Sequence, residues 1–251
     1  MVNQPLPHMT NFFRKIRQKL LAQNSVSKYL LYAIGEIVLV VIGILIALQI
    51  NNWNELKKEQ NLEIKILSEI RANLIGDFED HDENMEFLSH VVRSSKVILE
   101  HLNNGLPYHD SLATHFGWLP MTANFDPINN GYDLWLSEGV SIITNDSIRL
   151  KISKIYSKDY KWLRDFLKDR QKLNNQPLFL DMMKKFKSYE HLNRGVPRDY
   201  EGLKNDVDFK VLVQQNAYTI NSTSGFYFRI MEDCKQLIED LQLEIDRLEN
   251  K

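Results

Sequence analysis

Two acid–histidine pairs stand one helical turn apart, Asp77 with His81 and Glu86 with His90. A carboxylate and an imidazole at that spacing on one helix face can share a cation. They lie in an acidic stretch that also holds Glu79, Asp80, Asp82 and Glu83. The stretch fits neither the calcium-loop pattern nor the His-Glu-x-x-His zinc pattern. A solvated helix face is therefore expected, with cation binding between Asp77 and Glu86 left open. No catalytic, cofactor-binding or metal residue is assigned, and the chain is read as a non-enzyme. Its seven histidines are scattered. It has no Gly-x-Ser-x-Gly elbow, phosphate-cradling glycine loop or Cys-x-x-Cys pair. The one cysteine, Cys234, cannot form an intramolecular disulfide, and as part of an apolar seam it reads as a small core residue rather than a nucleophile.

A further chemical group is Glu36, the one charge within the apolar run Tyr29–Ile50. At about 1.5 Å per residue that run reaches about 33 Å as a helix, enough to cross a bilayer core of about 30 Å. A carboxylate there is costly and calls for a partner. Glu36, Gly43 and Ala47 share a face at i, i+7 and i+11, and Gly43-x-x-x-Ala47 is a small-xxx-small pattern that lets two helices approach. Pairing in a homo-oligomer or with another membrane protein competes with a plainer reading, in which Glu36 reaches the headgroups or Lys28. The run is too long for a signal-peptide core and lacks a cleavage site, so an uncleaved anchor is expected.

The flanks orient it. Arg14, Lys15, Arg17, Lys19 and Lys28 precede the run with no acid among them, whereas Lys57 and Lys58 after it alternate with Glu55 and Glu59. The N-terminus is expected in the cytoplasm and the C-terminal domain outside it, as in an inner-membrane protein facing the periplasm. Phe12, Phe13, Ile16, Leu20 and Leu21 form one face of a short helix from Thr10. Its basic residues Arg14, Lys15, Arg17 and Lys19 suit contact with membrane lipid. Met1–Pro7 reads as disordered.

The segments FFRKIRQKLL (Phe12–Leu21) and SKYLLYAIGEIVLVVIGILIALQINNWNE (Ser27–Glu55) resemble the opening of an uncharacterised bacterial family of single-pass membrane proteins. YDLWLSEGVSIITNDSIRLKISKIY (Tyr132–Tyr156) and YKWLRDFLKDR (Tyr160–Arg170) are similar to a second block of that family. The resemblance implies a membrane location and a helical exterior. It implies no activity.

These features sit on an all-α architecture. Residues 1–28 form a basic cytoplasmic and interfacial segment, 29–50 the transmembrane helix and 51–251 an extracytoplasmic helical domain. Beyond residue 53 the chain carries 26 Lys and Arg against 32 Asp and Glu, a charge of −6 that argues against nucleic acid as a partner. The spanning helix is expected to continue to about Leu102, because only Gly76 interrupts it, Leu67, Ile70 and Leu74 and then Leu88, Val91, Val92, Leu99 and Leu102 form an apolar face, and Asn103-Asn104-Gly105 ends it. A loop of about 20 residues follows, laying His115, Phe116 and Trp118 on the bundle. Asp126-Pro127 reads as the start of a helix that stops at Gly139. Asn145 or Asp146 caps the next, running to about Leu173, and Pro177–Glu190 forms a shorter one. Asp206 caps a helix through Val211–Val213. Tyr227, Met231, Cys234, Ile238, Leu241, Ile245 and Leu248 make a heptad seam, equally suited to a coiled coil or to a bundle helix. The resulting expectation is a membrane-anchored, non-catalytic envelope protein whose bundle binds a partner. The alternative is a ligand-sensing ectodomain that signals through the span to a separate protein.

Overall fold

The computed structural model describes residues 26–250. The expected disordered start, the short helix from Thr10 and the basic residues Arg14, Lys15, Arg17 and Lys19 lie outside the described residues. The chain divides into two units, at Gln60/Asn61.

Helix α1 (Val26–Asn103) supplies the described part of the first unit. Its apolar side chains face outward on every side, as with Leu31, Leu39 and Leu45. A helix that is apolar all round needs an apolar solvent. Among the described residues this is the one helix long and apolar enough to cross a membrane, with a mean hydropathy of 2.7 in its richest window. It points to a single-pass membrane protein.

Among the described residues the second unit is built from the remainder of α1, seven further α-helices, two strands, a 3₁₀ turn and two π-helical turns. The helices and strands are α2 (Leu112–Trp118), α3 (Asn130–Glu138), α4 (Asp146–Ser153), α5 (Lys161–Arg170), α6 (Gln176–Lys185), β1 (Phe186–Glu190), β2 (Arg194–Pro197), α7 (Tyr200–Asn205) and α8 (Val207–Glu249). α4, α5 and α6 follow one another through two π-helical turns, Lys154–Tyr160 and Gln171–Asn175. The fold is all-α apart from the β1–β2 hairpin.

α1 and α8 run antiparallel. His81 meets Tyr227, Leu88 and Val91 share a cluster with Ile220, and Ile98 and Leu102 share one with Phe209 and Val213. The largest cluster joins the Leu67, Ile70 and Leu74 stripe to Leu241, Ile245 and Leu248, with Trp135, Ile152 and Leu163. Burying each such side chain contributes about 1.5–3 kcal/mol. The heptad seam is thus used within one chain: Tyr227, Met231, Cys234, Leu241, Ile245 and Leu248 are all buried.

The local signals that set helix ends were mostly readable. Asn145 caps α4, its Oδ1 accepting from Ser147 N at 3.0 Å and Ile148 N at 3.3 Å. Asp206 caps α8 by accepting from Phe209 N at 2.9 Å. Gly139 ends α3 at φ 103°, a conformation that suits glycine.

Four expectations fail. The aromatic loop contains helix α2, which carries His115, Phe116 and Trp118. α3 begins at Asn130 rather than Pro127. The amides at that end are satisfied by α1: Asp77 Oδ1 accepts from Ile128 N at 2.9 Å, and Asn73 Oδ1 from Gly131 N at 2.8 Å. The helix after Asn145 does not stop at Leu173. The π-turn absorbs the change of register and Pro177 falls in the first turn of α6, where its missing N–H is tolerated. Finally, residues 186–190 are a strand. Hairpin pairing with Arg194–Pro197 overrides the helical spacing of Leu178, Met182 and Phe186.

Candidate functional site

The acid–histidine pairs separate in the structure. Glu79, Asp80, Asp82, Glu83 and Glu86 are exposed, as a solvated face requires. Asp77 and His81 instead turn inward and are buried, which corrects the sequence reading. Among the described residues no group of three or more His, Cys, Asp or Glu side chains is arranged to hold a metal ion. His90 stacks on Trp118 with ring centroids 5.1 Å apart.

Asp77 and His81 belong to a nest of titratable side chains between α1, the first π-turn and α8. Asp77 Oδ1 takes the Ile128 amide, while Oδ2 has no hydrogen bond of normal length. Burial pushes the carboxyl up to about 6, against the Ile128 amide and the Tyr160 hydroxyl, which favour the ionised form. His81 Nδ1 lies 3.2 Å from Asp82 Oδ1, and its ring is 4.7 Å from that of Tyr227. Burial lowers the imidazole below its usual range, and Asp82 partly restores it. The Tyr160 hydroxyl lies 3.3 Å from Cys234 Sγ. Burial pushes the Cys234 thiol up to about 12, so it carries no thiolate near neutral pH. Tyr156 stacks flat on Tyr132 at 4.7 Å, and burial raises the phenols of Tyr156, Tyr160 and Tyr227. Each of these six buried residues is less than a tenth exposed. The nest holds acid, imidazole, thiol and phenol in one place, yet its members face one another rather than solvent.

The spacing of Asp77 and His81 singled out half of this arrangement. Tyr160, Tyr156 and the Ile128 amide come from distant parts of the chain, which single-helix spacing cannot reveal.

The model of a family of unknown function (DUF6090) matches residues 36–176, more than half of the chain. The chain belongs to this family. The DUF6090 match begins at Glu36 inside the apolar helix and takes in Asp77, His81, Tyr156 and Tyr160. Tyr227 and Cys234 lie beyond it. No curated protein and no solved structure matches the chain.

Glu36, Gly43 and Ala47 are all exposed on α1, in the part of the DUF6090 match that precedes the bundle. A Cβ added at Gly43 would meet nothing within 4 Å, so that face is open.

Two surface features of the second unit were not singled out in the sequence. The first is an aromatic cluster where α5 meets α8. Trp162 stacks on Phe166 at 4.9 Å, and Phe226 sits edge-on to Trp162 at 5.3 Å. The Arg170 guanidinium lies 4.8 Å from the Phe166 ring and that of Arg229 4.9 Å from Phe226. Trp162 is 43% exposed and Phe226 39%. The second is a groove of about 400 Å³ between α1 and α8, lined by Met85, Leu88, Val92, Arg93, Lys96 and Asn221.

Proposed function

We propose that the chain is a membrane-anchored, non-catalytic envelope protein that binds a macromolecular partner through its second unit. In this reading the N-terminus is cytoplasmic, the basic residues Arg14–Lys19 meet anionic lipid, and the second unit lies outside, in the periplasm. The acidic charge of that unit speaks against nucleic acid. The inward-facing nest supports a structural rather than catalytic use of Asp77, His81 and Cys234.

One observation carries the binding role. Trp162, Phe166 and Phe226 form a rigid aromatic surface with Arg170 and Arg229 over two of its rings. Tryptophan and arginine are enriched among the few residues that dominate binding energy at protein interfaces, and the guanidinium groups over the rings help hold them in place. A photo-reactive residue at Trp162, in intact membranes, is expected to capture one defined partner, and Phe226→Ala should reduce the adduct. The same reporter at exposed Leu243 should not capture it. Equal capture at both positions, or none at Trp162, contradicts the reading.

The span can add a second contact through Glu36, Gly43 and Ala47. Gly43→Ile is then expected to weaken self-association of the span in a membrane reporter assay, and unchanged association returns Glu36 to the headgroup reading. The ligand-sensing alternative is favoured by a different observation, the α1–α8 groove.

A further inference from the structure

The groove between α1 and α8 differs from the rest of the second unit in its charge. Among the described residues Arg93 and Lys96 make no ion pair, although acids outnumber bases in this unit. Glu100 stands one turn beyond Lys96 without pairing to it. Two free cations on one rim, in an acidic protein, set up a local field for an anion.

The remaining lining is ordered lengthwise. Met85, Leu88 and Val92 fall at i, i+3 and i+7 on α1, a single apolar stripe. Arg93 and Lys96 continue it at i+8 and i+11, so the groove is apolar at one end and cationic at the other over about 16 Å. Its volume falls within the range of small-molecule sites.

Donor chemistry narrows the anion. The Ser89 hydroxyl donates to Glu86 O at 2.7 Å and that of Ser224 to Ile220 O at 3.0 Å. Their protons are committed. The donors left are the Arg93 guanidinium, the Lys96 ammonium and the Asn221 amide. A planar carboxylate has two oxygens to satisfy, and an arginine fork with one ammonium does so. Inorganic phosphate, which has no apolar part, would leave the Met85, Leu88 and Val92 stripe uncovered.

We propose that this groove binds a small carboxylate with a short apolar tail, the tail along Met85, Leu88 and Val92 and the carboxylate between Arg93 and Lys96. The site is separate from the Trp162 surface, so either assignment can fail without the other. Saturation-transfer NMR on the full chain in phosphatidylcholine nanodiscs tests it, with hexanoate as the probe and hexanol and inorganic phosphate as comparators. Hexanoate is expected to bind saturably, at least tenfold more tightly than either comparator. Arg93→Gln with Lys96→Gln should weaken it at least tenfold, with an unchanged melting curve showing that the fold is intact. Arg93→Lys, which keeps the charge, should lose less. Absence of saturable binding overturns the proposal. So does equal binding by hexanol, by phosphate or by the double variant.

Discussion

α8 passes through two kinds of surroundings. From Tyr227 to Leu248 it packs a continuous apolar and aromatic face into the largest cluster, against Leu67, Ile70, Leu74 and Trp135. From Asn216 to Gly225 most of its buried side chains are polar: Asn216, Thr219 and Thr223 accompany the single apolar Ile220, which shares a small cluster with Leu88, Val91 and Ala123. Hydrogen bonds take over there. Asn216 Nδ2 donates to Leu119 O at 2.8 Å and Asn174 Nδ2 to Thr219 Oγ1 at 3.2 Å. Ser222, Thr223 and Ser224 turn their hydroxyls back on the carbonyls four residues earlier. Such back-bonding and a mid-helix glycine weaken a helix. The packed end is fixed by burial, while the waist is held by polar contacts that a ligand or water can rearrange. Sites that respond to ligands come from the less stable parts of a fold, and the Arg93–Lys96 groove lies at this waist.

The largest expected break in that contrast is Leu241→Asp. Leu241 is fully buried at the packed end. An unpaired carboxylate there should cost about 4 kcal/mol or more and abolish cooperative melting of the second unit. A melting curve like that of the wild type would mean that the seam is not packed as described.

Gly131→Ala tests the close crossing of α3 on α1. A Cβ at Gly131 would stand 2.6 Å from Ile70 N, a backbone atom that cannot step aside. We expect a loss of about 2–3 kcal/mol by chemical denaturation. A neutral result would show that the two backbones are further apart.

Asp77 sharpens the comparison through pH. Burial raises its folded carboxyl to about 6, against 3.8 for a free aspartate. Between about pH 4 and 6 the unfolded chain has released this proton and the folded chain retains it, so stability falls as pH rises through that window and is level above it. The change is on the order of 2 kcal/mol, after discounting for residual solvent screening. His81 acts in the opposite direction, because its lowered value costs stability as pH falls below 6.5. Asp77→Asn isolates the acid. The difference between wild type and variant should grow towards pH 7 and shrink towards pH 4, and a pH-independent difference would contradict the buried, unpaired oxygen.

The smallest effect belongs to the waist. Gly225 has open space where a Cβ would be. Gly225→Ala should stabilise the protein by about 0.5–1 kcal/mol. No gain would mean that the helix is not the resting conformation there.

The same contrast explains what the sequence disclosed. The apolar seam from Tyr227 to Leu248, the Leu67–Leu74 stripe and the caps Asn145 and Asp206 are local patterns, and each was legible. Phe186 misled because it keeps the helical spacing of Leu178 and Met182, and only pairing with Pro197 and its neighbours turns it into a strand. Asp77 and His81 were visible as a pair, but their burial depends on Ile128, Tyr160 and Tyr227, which the fold brings from elsewhere. The groove was half legible. Leu88 and Val92 read as an apolar face, whereas the missing counter-ions of Arg93 and Lys96 emerge only when the neighbouring helices are in place.

Hydrogen exchange measured by mass spectrometry on the full chain in nanodiscs, with and without hexanoate, addresses the difference between the two regions most directly. Amides of residues 216–225 are predicted to exchange faster than those of 230–245, and hexanoate to slow exchange at 216–225 and 85–96 while leaving the packed end unchanged. Uniform protection along α8, or slowing confined to 230–245, would contradict the account.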